Sequence, residues 1–207
     1  MGRKRWEIYM ILWTIQPEMI YEMILEQGVY RCDYNKSSMK EWKMQYDWLV
    51  KQMINRIGER PSGVSYPVWA WYKWEGIRKK PDLRRERWGN GWKGERFVCM
   101  EIDIPEKDVL LTDFDAWSII LLDALISYSE EDEYLEKIYK SLSPEKQKMM
   151  KEKNWEKAFD ISPFDNTWIC RGNSVQATFW ELKRKQIKEV RPFTAATPKP
   201  VYLCNEE

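Results

Sequence analysis

Few side chains in this chain are of a type and spacing to do chemistry, and those that are missing narrow the field first. Histidine is absent, which excludes imidazole general bases, Ser-His and Cys-His nucleophilic pairs and histidine-containing zinc sites. Cys32, Cys99, Cys170 and Cys204 are widely spaced and form no CxxC pair, so they are expected to be reduced, ordinary thiols rather than a zinc module or a redox motif. Asp113 and Asp115 lack a third carboxylate at matching spacing. They read as helix caps, and no metal is expected. Gly89-Asn90-Gly91 has neither the spacing nor the following Lys-Ser/Thr of a phosphate-binding loop.

What remains is hydrogen bonding and aromatic contact. Gln176 and Thr178 would share one face of a strand, either as hydrogen-bonded strand residues or as ligand contacts. Trp69 and Trp71 share a strand face, with Tyr72 on the other, so one of these two sets is placed to line a cleft. Core packing is the competing role for Trp13, Trp69 and Trp71. The run Arg84-Arg85-Glu86-Arg87-Trp88, with Lys79, Lys80, Trp92 and Lys93 nearby, combines cations and stacking rings, a pairing that suits phosphate or single-stranded nucleic acid. A solvated loop is its rival reading, because the 34 basic and 33 acidic residues leave a formal net charge of only +1.

The elements that would position these residues are legible in outline. At 207 residues, with no Gly, Pro or Ser stretch long enough for a linker, one domain with one sizeable core is expected. No apolar run approaches the roughly 18–20 residues of a membrane span, and the start Met1-Gly2-Arg3-Lys4-Arg5 runs into Trp6-Glu7 rather than an apolar signal region. A soluble, cytoplasmic protein without a membrane partner is the expectation. Tyr9 to Ile15 is β-permissive, and Pro17-Glu18 opens a helix whose Met19, Ile20, Met23 and Ile24 recur at helical spacing until Gly28. Val29 to Cys32 reads as a short strand. Ser38 with Glu41 forms a capping-box pattern ahead of Trp42, Tyr46, Leu49, Met53 and Ile57, closed by Gly58. Pro67 to Tyr72, Phe97 to Ile104 and Val109 to Thr112 read as strands, and Arg78 to Lys93 as a loop. Trp168-Ile169-Cys170, the turn Arg171-Gly172-Asn173-Ser174 and Gln176 to Leu182 read as a closing hairpin. The tail after about residue 194, with Pro198 and Pro200, reads as loosely held.

Across most of its length the chain resembles a family of uncharacterised bacterial and phage proteins. The matching features are Leu12-Trp13-Thr14-Ile15-Gln16, Gly28, the helix with Tyr46, Trp48, Met53 and Arg56, Pro67 to Tyr72, Asp113-Phe114-Asp115-Ala116-Trp117, and Gln176 to Leu182. More distantly, the order of these elements resembles that of the DNA-targeting ADP-ribosyltransferase toxins. In those toxins an aliphatic-aromatic pair precedes a His-x-Thr step on the first strand, and a late strand carries a catalytic Gln-Ala-Glu. Here Leu12-Trp13 precedes Thr14-Ile15-Gln16, and the late strand carries Gln176-Ala177-Thr178.

The resemblance implies a single-domain α+β fold with a curved, mixed sheet of ADP-ribosyltransferase type, around which the residue pattern places helices at 17–27, 38–57, 116–127 and 130–158, with Ser143-Pro144-Glu145 marking a fresh helix start within the last. It further implies an NAD cleft with Thr14 and Gln16 on the nicotinamide ribose, Trp71 or Tyr72 against the nicotinamide ring, and Gln176 and Thr178 at the scissile side. Its target would be a nucleic acid or a protein. Thr178 cannot supply the negative charge that the toxins' glutamate provides, so an NAD-dependent enzyme with a diverged site stands beside a second expectation: a non-enzymatic binding protein, for example a phage-borne inhibitor of a host defence system.

Overall fold

In the computed structural model, residues 7–32, 39–128, 132–165 and 170–198 are described. Ser38 and the segment Trp168-Ile169, which the sequence reading used as a cap and as a strand, lie outside them, as do Cys204 and the tail from residue 199. The element order is β1 (Tyr9–Pro17), α1 (Glu18–Gln27), β2 (Val29–Arg31), a 3-10 turn at Met39–Trp42, α2 (Lys43–Ile57), β3 (Val68–Lys73), α3 (Leu83–Gly89), β4 (Arg96–Pro105), β5 (Leu110–Asp113) and α4 (Phe114–Leu121). Then follow α5 (Asp132–Ser141), α6 (Pro144–Asn154), a 3-10 turn at Trp155–Phe159, β6 (Phe164–Asp165), β7 (Cys170–Arg171), β8 (Val175–Phe179), β9 (Glu181–Lys183) and β10 (Ile187–Thr194).

Six strands form one sheet in the order β10-β4-β1-β3-β8-β5. Every pairing within it is antiparallel, so the expected mixed sheet is corrected to an antiparallel one within an α+β fold. Alternation along the strands gives the sheet two apolar faces. One carries Leu12, Val68, Ala70, Met100, Ile102, Ala177 and Phe179, covered by Ile24 of α1 and Leu182 of β9. The other carries Trp69 and Leu110 beneath Tyr46, Trp48, Leu49 and Met53 of α2, Trp117 and Ile120 of α4, and Trp155. On this second face the helices α2 and α4 cover the β3-β8-β5 half. The β10-β4-β1 half is held instead by the segment around α3, through Lys80 on Glu101 and Arg191 on the Pro81 carbonyl.

Several local readings hold. Helix α1 stops where Gly28 turns left-handed at φ 77° and returns its N–H to Ile24, a conformation that favours glycine. Others are corrected. Residues 78–93 contain α3, because Asp82 accepts from the Arg84 N–H as its N-cap. Helix α4 ends at Leu121 rather than near 127, since Asp123 adopts φ 58° and the carbonyls of Ala124 and Ile126 are taken by Trp155 Nε1 and Asn154 Nδ2. Within the helical stretch read over 130–158, Pro144 starts α6 at the fresh start that Ser143-Pro144-Glu145 marks, and the helix ends at Asn154, ahead of the 3-10 turn at Trp155–Phe159. The closing hairpin does not form either: β7 pairs with β6, β8 inserts between β3 and β5, and the chain leaves the sheet at Trp180 so that β9 pairs with β2. Beyond β10, Ala195 to Thr197 are bound to Glu95, Arg87, Trp88 and Lys93.

No helix among the described residues is long and apolar enough to cross a membrane.

Candidate functional site

A cleft of about 420 Å³ opens where β1 and β3 part. The two strands pair at Trp13 and Trp71, and a register shift after Trp71 disturbs the ladder to β8. The chain then turns back at Trp74-Glu75-Gly76-Ile77, with reciprocal bonds between Trp74 and Ile77. Glu75 at φ 48° and Gly76 at φ 74° give this two-residue turn the paired positive φ values of a type I′ hairpin connection. It is anchored from behind. The Gly76 N–H donates to the Asn173 carbonyl at 2.8 Å, and the Glu75 N–H to Ser174 Oγ at 3.2 Å.

Aromatic rings make the walls. Trp71 and Trp74 meet edge to face at 4.5 Å, and Phe114 contacts both at 5.3 and 5.8 Å. Trp13, almost fully buried, donates its indole N–H to Glu101 at 3.1 Å. Opposite, Pro81, Asp82, Arg85, Glu86 and Asn90 of the α3 segment complete the lining. Arg85 grips Glu75 with two bonds of 2.9 Å, which ties α3 to the Trp74 turn, while Lys80 bridges Glu101 and Glu189. Lys73 and Lys79 also line the cleft, and neither makes an ion pair among the described residues.

The charges follow from these contacts. Arg85 holds the Glu75 carboxyl below the usual range, hydrogen bonds from Arg84 bring Asp82 down to about 2, and the carboxylates of Glu189 and Glu101 raise Lys80. Glu86 goes the other way: burial raises it, opposed by the hydrogen bond from Asn90. A carboxyl whose folded pKa is raised contributes stability below its unfolded pKa and loses it as pH rises through the folded value. Glu86→Gln is therefore expected to stabilise the protein at pH 7, with the advantage disappearing in acid. Urea denaturation of both proteins at pH 7 and near pH 4 checks this, and an advantage equal at both pH values would refute it.

The residues singled out from the sequence divide between the two faces. Trp71 is in the cleft. Gln176 lies directly across from it on β8, half-buried, its side chain without a hydrogen-bond partner among the described residues. Thr178 is on the same face but fully buried, and its hydroxyl donates to the Leu110 carbonyl at 3.3 Å. Thr14, next to Trp13, necessarily points to the opposite face; it is fully buried and donates to the Trp69 carbonyl at 2.8 Å. Gln16 bonds Thr14 on that face at 2.9 Å, and Tyr72 packs there too beneath the Arg78 guanidinium. Trp71 and Gln176 are thus brought together, whereas Thr14, Gln16 and Tyr72 are separated from them by the thickness of the sheet. Asn90 and Glu101 were missed, and Glu86 was named only as part of the basic run 84–88, from which Arg85 also reaches the cleft. The cap at Asp82 was the available signal, because it places Glu86 and Asn90 one helical turn apart. Among the described residues no group of three acidic or cysteine side chains is arranged to hold a metal ion.

Residues 11–188 match the family described as Domain of unknown function (DUF3841), and the chain belongs to that family. No curated protein and no solved structure matches it.

Proposed function

We propose that this member of an uncharacterised family binds a nucleotide-type ligand, a planar ring bearing anionic groups, in the cleft between Trp71, Trp74 and α3. The observation that carries the reading is the combination of the edge-to-face pair Trp71 and Trp74 with Lys73 and Lys79, two lining cations that make no ion pair among the described residues. Rings of this kind stack on a planar heterocycle, and ammonium groups suit phosphate. Pockets of a few hundred cubic ångströms with apolar walls and a few polar groups are the usual form of a small-molecule site.

NAD is the first ligand to test. The catalytic form of the reading is ADP-ribosyl transfer from NAD to a nucleic acid or a protein, on a sheet of ADP-ribosyltransferase type. It is supported by Gln176 beside Trp71. The non-enzymatic form, a binding protein, is supported by the burial of Thr14 and Thr178, which leaves both hydroxyls on backbone carbonyls. It is the form we favour.

Titration with NAD and with ATP, followed by tryptophan fluorescence and by melting temperature, tests the proposal. A ligand that binds only the folded state stabilises it by about 2.7 kcal/mol at 100 times its Kd. Trp71→Ala is expected to weaken binding by at least about tenfold, the equivalent of about 1.4 kcal/mol, and Lys73→Ala with Lys79→Ala to reduce its salt dependence. Thr178→Ala should leave affinity unchanged. No thermal shift at millimolar NAD or ATP would sink the proposal. Mass spectrometry for ADP-ribose adducts, after incubation with NAD and cell extract, separates the catalytic form from the binding one.

A further inference from the structure

A second pocket, of about 410 Å³, lies between the 123–127 segment and the helices α5 and α6. Its lining combines apolar side chains, Leu125, Ile126, Leu135 and the Tyr139 ring, with the charged groups of Asp123, Glu136, Lys140 and Lys151. Lys151 is nine-tenths buried. Its ammonium donates to Asp123 Oδ1 at 2.6 Å and lies 5.6 Å from the centre of the Trp155 ring. An ammonium has three donors, and among the described residues Asp123 is its one hydrogen-bond acceptor.

The surroundings are built rather than accidental. Asn154 clamps Ile126 by both its N–H and its carbonyl, at 2.7 and 3.0 Å, and Trp155 holds Ala124. Asp123 sits in the left-handed region, a conformation that a non-glycine residue keeps only when its surroundings enforce it. Glu136, the other acid of the lining, already pairs with Lys140 at 3.6 Å. A cation largely removed from water is costly unless its hydrogen-bonding capacity is met, and among the described residues one donor of three is taken, by the half-exposed Asp123.

We propose that this pocket binds a small apolar carboxylate, its anionic end joining Asp123 on the Lys151 ammonium and its hydrocarbon part lying against Leu125, Leu135 and Tyr139. The site shares no lining residue with the Trp71 cleft. The charge selects for an anion and the walls for an aliphatic or aromatic body, so octanoate should bind, octanol should bind poorly and octylammonium not at all.

The full-length protein, labelled for amide NMR, is titrated with octanoate, octanol and octylammonium. The expected result is saturable movement of the resonances of residues 123–127 and of the Trp155 indole with octanoate, and binding at least about tenfold weaker with octanol. Lys151→Met should abolish the preference for octanoate. If that variant does not fold, Leu135→Trp, which fills the pocket, should reduce octanoate binding instead. Equal binding of octanoate and octanol, shifts confined to Trp13, Trp71 and Trp74, or no saturation at millimolar octanoate would each overturn the proposal.

Discussion

Trp155→Ala is expected to cost on the order of 3–5 kcal/mol of folding stability, the range for truncating a large buried aromatic. Trp155 is only 1% exposed. It meets Trp48 edge to face at 5.4 Å, and its indole N–H donates to the Ala124 carbonyl at 2.8 Å. It therefore does two separate things. The ring fills the space between α2, α4 and the last turn of α6, and the N–H fixes the segment that follows α4. Alanine leaves a cavity and also takes the donor from the Ala124 carbonyl, and domains of this kind total only about 5–15 kcal/mol. Trp155→Phe separates the contributions: it retains most of the ring and loses the hydrogen bond, a net effect of about 1–2 kcal/mol. Urea denaturation gives both numbers from the shift in midpoint, provided the slope stays constant. A loss below about 1 kcal/mol for the alanine variant would mean that the ring is not buried as described.

Trp155 also shows where sequence reasoning stops. The periodicity of Trp42, Tyr46, Leu49 and Met53 announced α2 and its buried face, because a helix writes its amphipathicity into local spacing. Gly28 and Asp113 announced their helix boundaries for the same reason. Nothing near residues 116–127 announces that α4 stops at Leu121: the groups that claim the following carbonyls, Asn154 and Trp155, lie about thirty residues further on. The same distance problem applies to the site. That Gln176 and Thr178 share a face follows from alternation, but whether that face is also the face of Thr14 depends on how many strands intervene and in what register. β3 lies between them, pairing Trp13 with Trp71 and Trp71 with Gln176. Thr14, one residue out of phase with Trp13, was carried to the far side. A one-residue offset is enough to reverse a side chain's address, and no local pattern in Leu12 to Gln16 records it. The segment around α3 failed for another reason: its charged residues, with Pro81 before the helix and Gly89 as its last residue, look like a loop by composition, and only the cap at Asp82 argues otherwise.

Asp113→Ala should be comparably damaging, and it should also reach the cleft without touching it. Asp113 is fully buried. One carboxylate oxygen accepts from the Ala116 N–H at 2.9 Å, capping α4, and the other accepts from the Gly172 N–H at 2.6 Å. Loss of an N-cap costs about 0.5–2 kcal/mol, and a hydrogen bond to a charged group contributes about 1.5–3 kcal/mol. A loss of about 3 kcal/mol follows if the two are partly coupled. Gly172 itself excludes a side chain, since at φ 72° an added Cβ would lie 2.4 Å from the Ile161 carbonyl oxygen. The turn it belongs to leads straight to Asn173 and Ser174, which hold the Trp74-Glu75-Gly76-Ile77 turn through Gly76 and Glu75. Loosening the first turn should release the second, and with it the Trp74 wall. The proposed ligand would then bind more weakly to Asp113→Ala even at a temperature where the variant is fully folded. Asp113→Asn keeps one acceptor and should recover about half of the stability loss. Denaturation and ligand titration on the same samples make the comparison. If Asp113→Ala lowers stability as expected but binds the ligand with unchanged affinity, the 171–174 turn supports the fold alone and the cleft is positioned from the α3 side, through Arg85 and Glu75.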